Sequence, residues 1–338
     1  MDLGTEKARL GICFSGGVNA SEIVDLVKLA EKLDYESAWV AEGHGGDQFA
    51  ILAACATATS RILLGTSITS AFVRTTPTIA MAAATVDQLS GGRFILGIGS
   101  SHKVQVEPEH GVAYKKPLTR VRETVEFVRA LISQGRAKYC GETVNIENFE
   151  LWFSPFRPRF PIYLSAVFPR MTELTGEIGD GILLLRSTLA SGAAVRGHLA
   201  VGATRARRDI ENITITSLLP IAVADSREEA LDSLRPGFAA YTGYFPRYAQ
   251  MTIDQGFADE ATAITEAWAR GDLTAASAAV SDELIDASAI AGTPMECRKR
   301  IQEYRASGID VPILFPDVSG PDAKDTLEEV LRGCAPGA

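Results

Sequence analysis

The feature that most constrains this chain is the repeated alternation of short apolar runs with helix-length segments. The pattern is clearest between residues 61 and 101, where RILLGTSITSAFVRTTP and LSGGRFILGIGSS each carry an apolar run that ends in a glycine-containing loop. The apolar segment from Thr78 to Leu89 lies between them and is long enough for a crossover helix. Strand, helix and strand in this order predict a parallel βαβ unit, because parallel neighbours need such a crossover.

The same alternation continues along the whole chain. We predict eight buried strands, at 10–14, 37–41, 62–65, 93–97, 161–165, 181–185, 213–223 and 311–315. Eight strands interleaved with helices are typical of an α/β fold, the (β/α)8 TIM barrel, here as one domain over residues 1–338. An open doubly wound sheet is the alternative, but SGGVNA after the first strand lacks the spacing of a dinucleotide-binding glycine motif.

Three segments are too long for ordinary connections, and we interpret them as insertions. Residues 100–117 are polar and suit a functional loop over the barrel mouth. Residues 137–155 alternate apolar and polar residues around Gly141, which predicts a β-hairpin excursion. Residues 226–290 have helical composition and no convincing strand, so they predict inserted helices that either cover the barrel or form an interface.

Composition narrows the classes of partner. Lys and Arg total 33 against 42 for Asp and Glu, a net charge of −9, which argues against a nucleic-acid partner. The five cysteines are scattered without metal-ligand spacing, so we predict reduced thiols and no metal site. The N-terminal sequence MDLGTEKARLGICF lacks an apolar signal core and no membrane-length apolar run follows, which predicts a cytoplasmic protein with no membrane partner.

Candidate functional residues follow the predicted strands, since the chemistry of such barrels lies at the carboxyl ends of the strands. Glu42 and His44 come directly after the second strand and could bind or move a proton. The alternative is that both are solvated residues beside glycines that form a turn.

The loop GIGSS resembles half of a glycine-rich phosphate cradle, which alone is a weak signal. AVFPRMTELTG places a helix N-terminus and Arg170 after the fifth strand, where an anion could bind.

Several motifs spread over the chain add a resemblance to a known family. They are LGTSIT, FVRTTP, DQLSGGRFILGIGSS, GVAYKKPL, PIYLSAVFPRMTELTGEIGDGILL, ARGDL and IAGTPMECRKRIQEY. With these motifs the chain resembles the luciferase-like superfamily of flavin and deazaflavin barrels. Within it, the chain is most similar to the coenzyme F420-dependent methylenetetrahydromethanopterin reductase group.

The resemblance implies a bacterial luciferase-like barrel, usually a homodimer, that binds its cofactor at the C-terminal face. It implies a non-prolyl cis peptide at the Ser67–Ile68 bond, in a bulge that runs to Thr69 and supports the cofactor ring. It places Glu42 and His44 over the reactive face of that ring, near the substrate. The residues that it assigns to the phosphate side of the cofactor are Ser100, Ser101, Val167, Phe168, Pro169, Arg170 and Met171.

The chain departs from the family pattern at three places. It has Val167 and Phe168 where the family usually has glycine, Ser101 where glycine is more frequent, and an EGHGGD loop that is one residue shorter. The function implied is hydride transfer between coenzyme F420 and a small organic substrate. One alternative is an FMN-dependent luciferase-like monooxygenase. The second is a barrel that only binds a ligand, because Val167 and Phe168 replace glycines where the backbone approaches phosphate.

Overall fold

The computed structural model describes residues 9–337. Residues 1–8 lie outside this range. They belong to the N-terminal segment for which the sequence predicts no signal core. Across residues 9–337, no helix is long and apolar enough to cross a membrane.

Strands and helices alternate along the chain as the sequence predicts. The strands are β1 (Gly11–Phe14), β2 (Ser37–Val40), β3 (Leu63–Thr66), β4 (Thr69–Ser70), β5 (Phe94–Gly99), β6 (Arg136–Cys140), β7 (Asn145–Glu150), β8 (Ile162–Ser165), β9 (Gly181–Leu185), β10 (Thr214–Val223), β11 (Ile290–Gly292) and β12 (Val311–Phe315). The helices are α1 (Ala20–Lys32), α2 (Gln48–Ala58), α3 (Thr76–Leu89), α4 (Lys103–His110), α5 (Pro117–Gln134), α6 (Pro169–Ile178), α7 (Ser191–Arg205), α8 (Arg227–Tyr244), α9 (Pro246–Asp254), α10 (Ala258–Ala269), α11 (Leu273–Ala278), α12 (Asp282–Ser288), α13 (Pro294–Ala306) and α14 (Ala323–Gly333).

Eight parallel strands close into a barrel, which confirms the predicted (β/α)8 fold. The order around the ring is β1, β2, β3, β5, β8, β9, β10 and β12, and β12 pairs with β1 to close it. The short β4 adds to the end of β5, and β11 adds to the end of β10. β3 and β10 therefore lie on opposite sides of the ring, four strands apart in either direction.

Alternate strand residues supply two separate apolar layers, as the two-residue period of a strand requires. Cys13 points into the barrel with Trp39 and Ile313, whereas its neighbours Ile12 and Phe14 pack outward against the helices. Burying one such Ile or Phe stabilises the fold by roughly 1.5–3 kcal/mol. The interior is therefore a packed core, and any ligand must bind above it, at the barrel mouth.

Each of the eight predicted strands matches an observed barrel strand to within a few residues at either end, and the hairpin of β6 and β7 forms as predicted. The prediction of a loop over 100–117 is wrong in part, because Lys103–His110 is helical. This helix buries only Val106 and contains Pro108, so its sequence has no apolar period to reveal it. β4 and β11 are two and three residues long, too short for an alternation to be visible.

The end of the barrel away from the mouth is held together by ion pairs. Asp180, just before β9, accepts a hydrogen bond from Ile162 N at 3.0 Å and pairs with Arg129 at 2.9 Å and with Arg159. Gly181 follows it because a side chain there would collide with the Tyr163 ring. The GDG motif thus fixes the entry of two strands into the barrel.

A groove of about 310 Å³ also lies at this end, before β2 and β3. Its floor is Glu31, whose carboxylate accepts hydrogen bonds from the backbone N–H groups of residues 60–62. Since that carboxylate is already engaged in closing a turn, we assign the groove a structural role.

Candidate functional site

The barrel mouth has two sides with different chemistry. We call the first the bulge side; it is formed by residues 66–70 and 99–101, at the ends of β3, β4 and β5. The second is the arginine side, formed by the ends of β9, β10 and β12 together with Arg186 and helix α8. Ile68 from the bulge side and Leu185 and Tyr241 from the arginine side all pack on the same interior cluster of the barrel. The two sides therefore face each other across the mouth.

The bulge side contains the cis peptide bond that the resemblance implies, between Ser67 and Ile68. Ser67 N donates to Val40 O at 2.8 Å, and the short strand after the bulge, β4, pairs with Ile98 and Gly99. Thr69 is fully buried and its hydroxyl accepts a hydrogen bond from Gln48 Nε2 at 3.1 Å. The three predicted residues Ser67, Ile68 and Thr69 thus form one ordered wall of the mouth.

Glu42 lies behind this wall and is held by two partners. Its carboxylate accepts hydrogen bonds from Ser70 N at 2.8 Å and from Arg74 Nε at 2.5 Å. Arg74 also pairs with Asp47 at 2.7 Å. Burial alone would lower the pKa of Arg74, but Asp47 and Glu42 outweigh it and raise that pKa. The Glu42 carboxylate therefore ties the loop after β2 to the bulge.

His44 occupies a different position from Glu42. Its side chain is 82% exposed, and Nε2 lies 3.1 Å from Glu109 Oε2 on helix α4. The two residues share no hydrogen-bond partner, so the structure brings them to the same loop but not into one proton-transfer pair. An exposed imidazole on the rim can still exchange a proton with solvent and with a ligand above it.

Ser100 and Ser101 follow β5 at the edge of the mouth. Ser101 has a φ of +54°, in the left-handed region where glycine is favoured. Its carbonyl accepts hydrogen bonds from the hydroxyl groups of Ser100, at 3.3 Å, and Tyr114, at 3.2 Å. The turn thus presents small hydroxyl-bearing residues toward the neighbouring end of β8.

The segment Val167 to Met171 begins helix α6 next to that turn. Phe168 is the N-cap residue with extended backbone, Pro169 takes the first helical position, and no side chain caps the first turn. An uncapped helix start offers its N–H groups and positive dipole end to an anion. The Phe168 ring lies under the guanidinium of Arg247, 5.1 Å from its centroid.

Arg247 comes from helix α9, which together with α8 covers the mouth. His102, next to the Ser100–Ser101 turn, packs against the rings of Phe245 at 4.5 Å and Tyr248 at 5.0 Å between centroids. Burial and the nearby Arg247 guanidinium lower the pKa of His102 to about 4, so its imidazole is neutral at pH 7. Of the two alternatives for residues 226–290, the α8–α9 part covers the barrel.

Sequence reasoning missed Arg74 and Arg247. FVRTTP was noted as a motif, but only the fold shows that Arg74 reaches back to Glu42 and Asp47. Arg247 lies far from Phe168 in the sequence, on a helix with no recognisable motif, so no signal could pair the two. Both arginines are positive charges at the barrel mouth, although the net charge of the whole chain is negative.

The groups between β5 and β8 fit the phosphate of a flavin or deazaflavin cofactor. They comprise the hydroxyl groups of the Ser100–Ser101 turn, the uncapped start of α6, and the Arg170 and Arg247 side chains. A cation, hydroxyl donors and helix N–H groups are the donor set that phosphate esters prefer. Phe168 does not block this set, since its ring packs against Arg247 while the helix start keeps its N–H groups.

Comparisons with known proteins show what the whole chain is similar to. A 5,10-methylenetetrahydromethanopterin reductase of Archaeoglobus fulgidus is 28% identical over 97% of this chain and 99% of its own length. A putative coenzyme F420-dependent oxidoreductase of Mycobacterium tuberculosis is 30% identical over 91% of this chain and 94% of its own. The solved coenzyme F420-dependent tetrahydromethanopterin reductase of Methanopyrus kandleri superposes with a TM-score of 0.86 at 24% identity, covering 98% of this chain and 99% of that one.

A family profile described as luciferase-like monooxygenase matches residues 8–311. The match includes the bulge, the Ser100–Ser101 turn and the start of α6, and it extends over nearly all of the barrel. The protein therefore belongs to the luciferase-like monooxygenase family.

Proposed function

We propose that this protein is an oxidoreductase that uses coenzyme F420 and passes a hydride between the deazaflavin and a small organic substrate. The observation that carries the proposal is the phosphate-binding donor set between β5 and β8. Full-length relatives named for coenzyme F420 support the choice of cofactor. When bound, the deazaflavin supplies the hydride chemistry, and the protein supplies orientation and exclusion of water.

The roles of the chain's residues follow from their positions. Ser67, Ile68 and Thr69 support one face of the ring, while Ser100, Ser101 and residues 167–171 hold the phosphate side together with Arg247. Glu42 keeps Arg74 and the bulge in place, because both of its oxygens are already hydrogen-bonded. His44, with its exposed imidazole, is then the better candidate to exchange a proton with the substrate.

The test of the cofactor is a titration of purified protein with oxidised coenzyme F420 and, separately, with FMN, followed by fluorescence quenching. We expect F420 to bind at least about tenfold more tightly than FMN, a difference of about 1.4 kcal/mol. Tighter FMN binding and oxygen consumption would move the protein to the monooxygenase alternative, which the family's own description favours. Binding of neither would favour a ligand-binding barrel without catalysis.

The test of the proton carrier compares His44→Ala with Glu42→Gln. We expect His44→Ala to lower turnover with little change in F420 affinity, because the side chain is exposed and pairs with Glu109 rather than with a residue assigned to the phosphate. Glu42→Gln should weaken F420 binding, because it loosens the bulge through Arg74. An unchanged turnover in His44→Ala would remove His44 from the mechanism.

We also propose that the protein acts as a homodimer in the cytoplasm. Trp152 and Phe156, just after the hairpin, are 97% and 56% exposed, and large exposed apolar side chains are frequent at subunit contacts. Light scattering should give twice the chain mass of 36.1 kDa, and Trp152→Asp should shift the protein toward the monomer.

A further inference from the structure

Arg186 is a buried charge on the arginine side of the mouth. It follows β9 directly, is only 2% exposed, and has a backbone φ of +53°. Burial lowers the pKa of its guanidinium to about 10, so it remains positively charged at pH 7. A buried cation is ordinarily paired, because desolvation of an unpaired charge is costly.

The guanidinium has almost no partners within the described chain. It stacks on the Phe238 ring at 3.8 Å and Nη1 donates to Thr242 Oγ1 at a long 3.4 Å. Nε and Nη2 are buried and donate to nothing. Among residues 9–337, no carboxylate oxygen lies within 4.0 Å of it. Nε and Nη2 lie on the same side of the guanidinium, and no acceptor among residues 9–337 binds them.

A small cavity lies next to this guanidinium. Its volume is about 20 Å³, enough for one water-sized group such as a single carboxylate oxygen. Its lining combines strand ends with α8 and consists of Leu185, Arg186, Pro220, Ser233, Leu234, Gly237, Phe238, Tyr241, Phe315 and Asp317. Arg186 is the one cation and Asp317 the one acidic residue among these, and burial raises the pKa of Asp317. The cavity therefore suits at most a single negative charge and not the double charge of a phosphate.

The position of the cavity identifies which ligand reaches it. Its strand ends belong to β9, β10 and β12, and β10 is directly opposite β3, which carries the bulge. If the bulge supports one face of the cofactor ring, the opposite face looks toward Arg186. The phosphate-binding groups lie elsewhere, at the ends of β5 and β8. A molecule bound between the ring and the arginine side is therefore the substrate.

We propose that Arg186 binds a carboxylate of the substrate, which makes the substrate class a small organic acid whose reactive atom lies between the carboxylate and the cofactor ring. This inference rests on the proposed function for the identity of the opposite wall. The Nε–H and Nη2–H groups both donate to the one carboxylate oxygen that enters the cavity, a charge-assisted contact that a planar guanidinium favours. Phe238, stacked on the guanidinium, holds it in that orientation.

The test uses the whole protein and acetate as a probe. Thermal unfolding is measured at pH 7 and constant ionic strength in three titrations. In two of them, sodium chloride is replaced stepwise by sodium acetate or by sodium phosphate. In the third, neutral acetamide is added to the sodium chloride buffer. We expect acetate to raise Tm by about 2 °C or more in wild type, and acetamide and phosphate to have little effect. Arg186→Gln should abolish the acetate response, Arg186→Lys should keep part of it, and Arg196→Gln should keep it fully.

Arg196 is the matched control because it is an exposed arginine on the outer helix α7, paired with Glu211. A general effect of acetate on protein solubility would appear equally in all variants and would overturn the proposal. A larger response to phosphate than to acetate would overturn the carboxylate assignment. A response seen only in Asp317→Asn would show that Asp317 on the cavity rim is the natural partner of Arg186, and would also overturn it.

Stability without any added carboxylate gives a second measurement. Because Arg186→Gln removes an unpaired buried charge, its Tm should equal or exceed that of wild type, whereas a purely structural arginine would give a large decrease. If the Gln variant does not fold, Arg186→Met, which retains more of the apolar volume, takes its place in both measurements.

Coenzyme F420 binding separates the two proposals. We expect Arg186→Gln to change the F420 dissociation constant by less than about twofold, within the scatter of neutral substitutions. A larger loss would assign Arg186 to the cofactor and overturn the substrate subsite. If wild type binds no F420 but acetate still acts through Arg186, the proposed function fails and the carboxylate site stands.

Discussion

The two sides of the barrel mouth differ in how their charged groups are neutralised. Next to the bulge side, Glu42, Arg74 and Asp47 form a closed set of ion pairs, so each of these three charges has a partner. On the arginine side, Arg186 is buried, and its Nε and Nη2 atoms have no partner within the part of the chain that the structure describes. A wall of the mouth whose charges are all paired keeps a fixed shape. A wall with a buried, unpaired cation can bind an anionic ligand.

The largest effect is expected from breaking the closed set of ion pairs on the bulge side. Arg74→Met leaves the Glu42 carboxylate, 15% exposed, without its cation. We expect a loss of about 3 kcal/mol in the free energy of unfolding, measured in urea. The double variant Glu42→Gln with Arg74→Met should recover part of that loss, because no uncompensated charge remains. Additive losses would mean that the pair contributes nothing to stability.

A second prediction concerns His102, which joins the bulge side to the cover. Its pKa is lowered to about 4 in the folded protein, against about 6.5 when unfolded. Between these values the unfolded chain binds more protons, so stability rises with pH and is lost as the pH falls from 6.5 to 4. The contribution is at most about 3 kcal/mol, at 1.36 kcal/mol for each pKa unit.

His102→Phe should flatten the pH dependence of unfolding in that window while keeping the ring contacts with Phe245 and Tyr248. The other three histidines remain in both proteins and serve as an internal control. Parallel stability curves for the two proteins between pH 4 and 6.5 would contradict the assignment.

A third prediction tests whether the cover contributes to the cofactor site. Arg247→Gln should weaken F420 binding about tenfold, the value of one charge-assisted hydrogen bond of about 1.4 kcal/mol. Arg196→Gln changes an arginine on α7 in the same way and should leave the F420 dissociation constant unaltered. Equal affinities in the two variants would restrict the phosphate site to the Ser100–Ser101 turn and α6.

The smallest effect is expected at the turn after β5. Ser101→Gly relieves a left-handed backbone at φ +54° and should stabilise the protein by up to about 1 kcal/mol, since glycine adopts that conformation freely. Ser100→Gly, at a residue outside the left-handed region, should instead be destabilising because it only adds freedom to the unfolded chain. Thermal unfolding of both variants compares the two directly, and destabilisation by Ser101→Gly would remove the strain argument.

Most of the fold could be predicted because each barrel strand is a short apolar run and the segments between the strands have helical length and composition. The bulge at Ser67–Ile68 and the start of α6 at Phe168 were placed through family motifs, and the structure puts them at the mouth as expected. The arginine side could not be predicted. Arg186 follows the apolar run ILLL, and no sequence pattern shows that α8 packs against it or that no carboxylate oxygen of residues 9–337 comes within 4.0 Å of its guanidinium. Whether a charged side chain has a partner nearby depends on the folded structure, so no sequence pattern reports it.

The GDG motif around Asp180 has a wider consequence. It is part of a motif by which the chain resembles its relatives. It nevertheless lies where the strands enter the barrel, at the end opposite the mouth. The contacts of Asp180 hold the scaffold together and lie away from the mouth, so the motif reports the fold and not the substrate. Two chains could therefore keep this signature intact while their substrates diverge completely, and enzymes grouped by it are grouped by architecture. If Arg186 binds the substrate as proposed, the residue at its position distinguishes substrates where this motif does not.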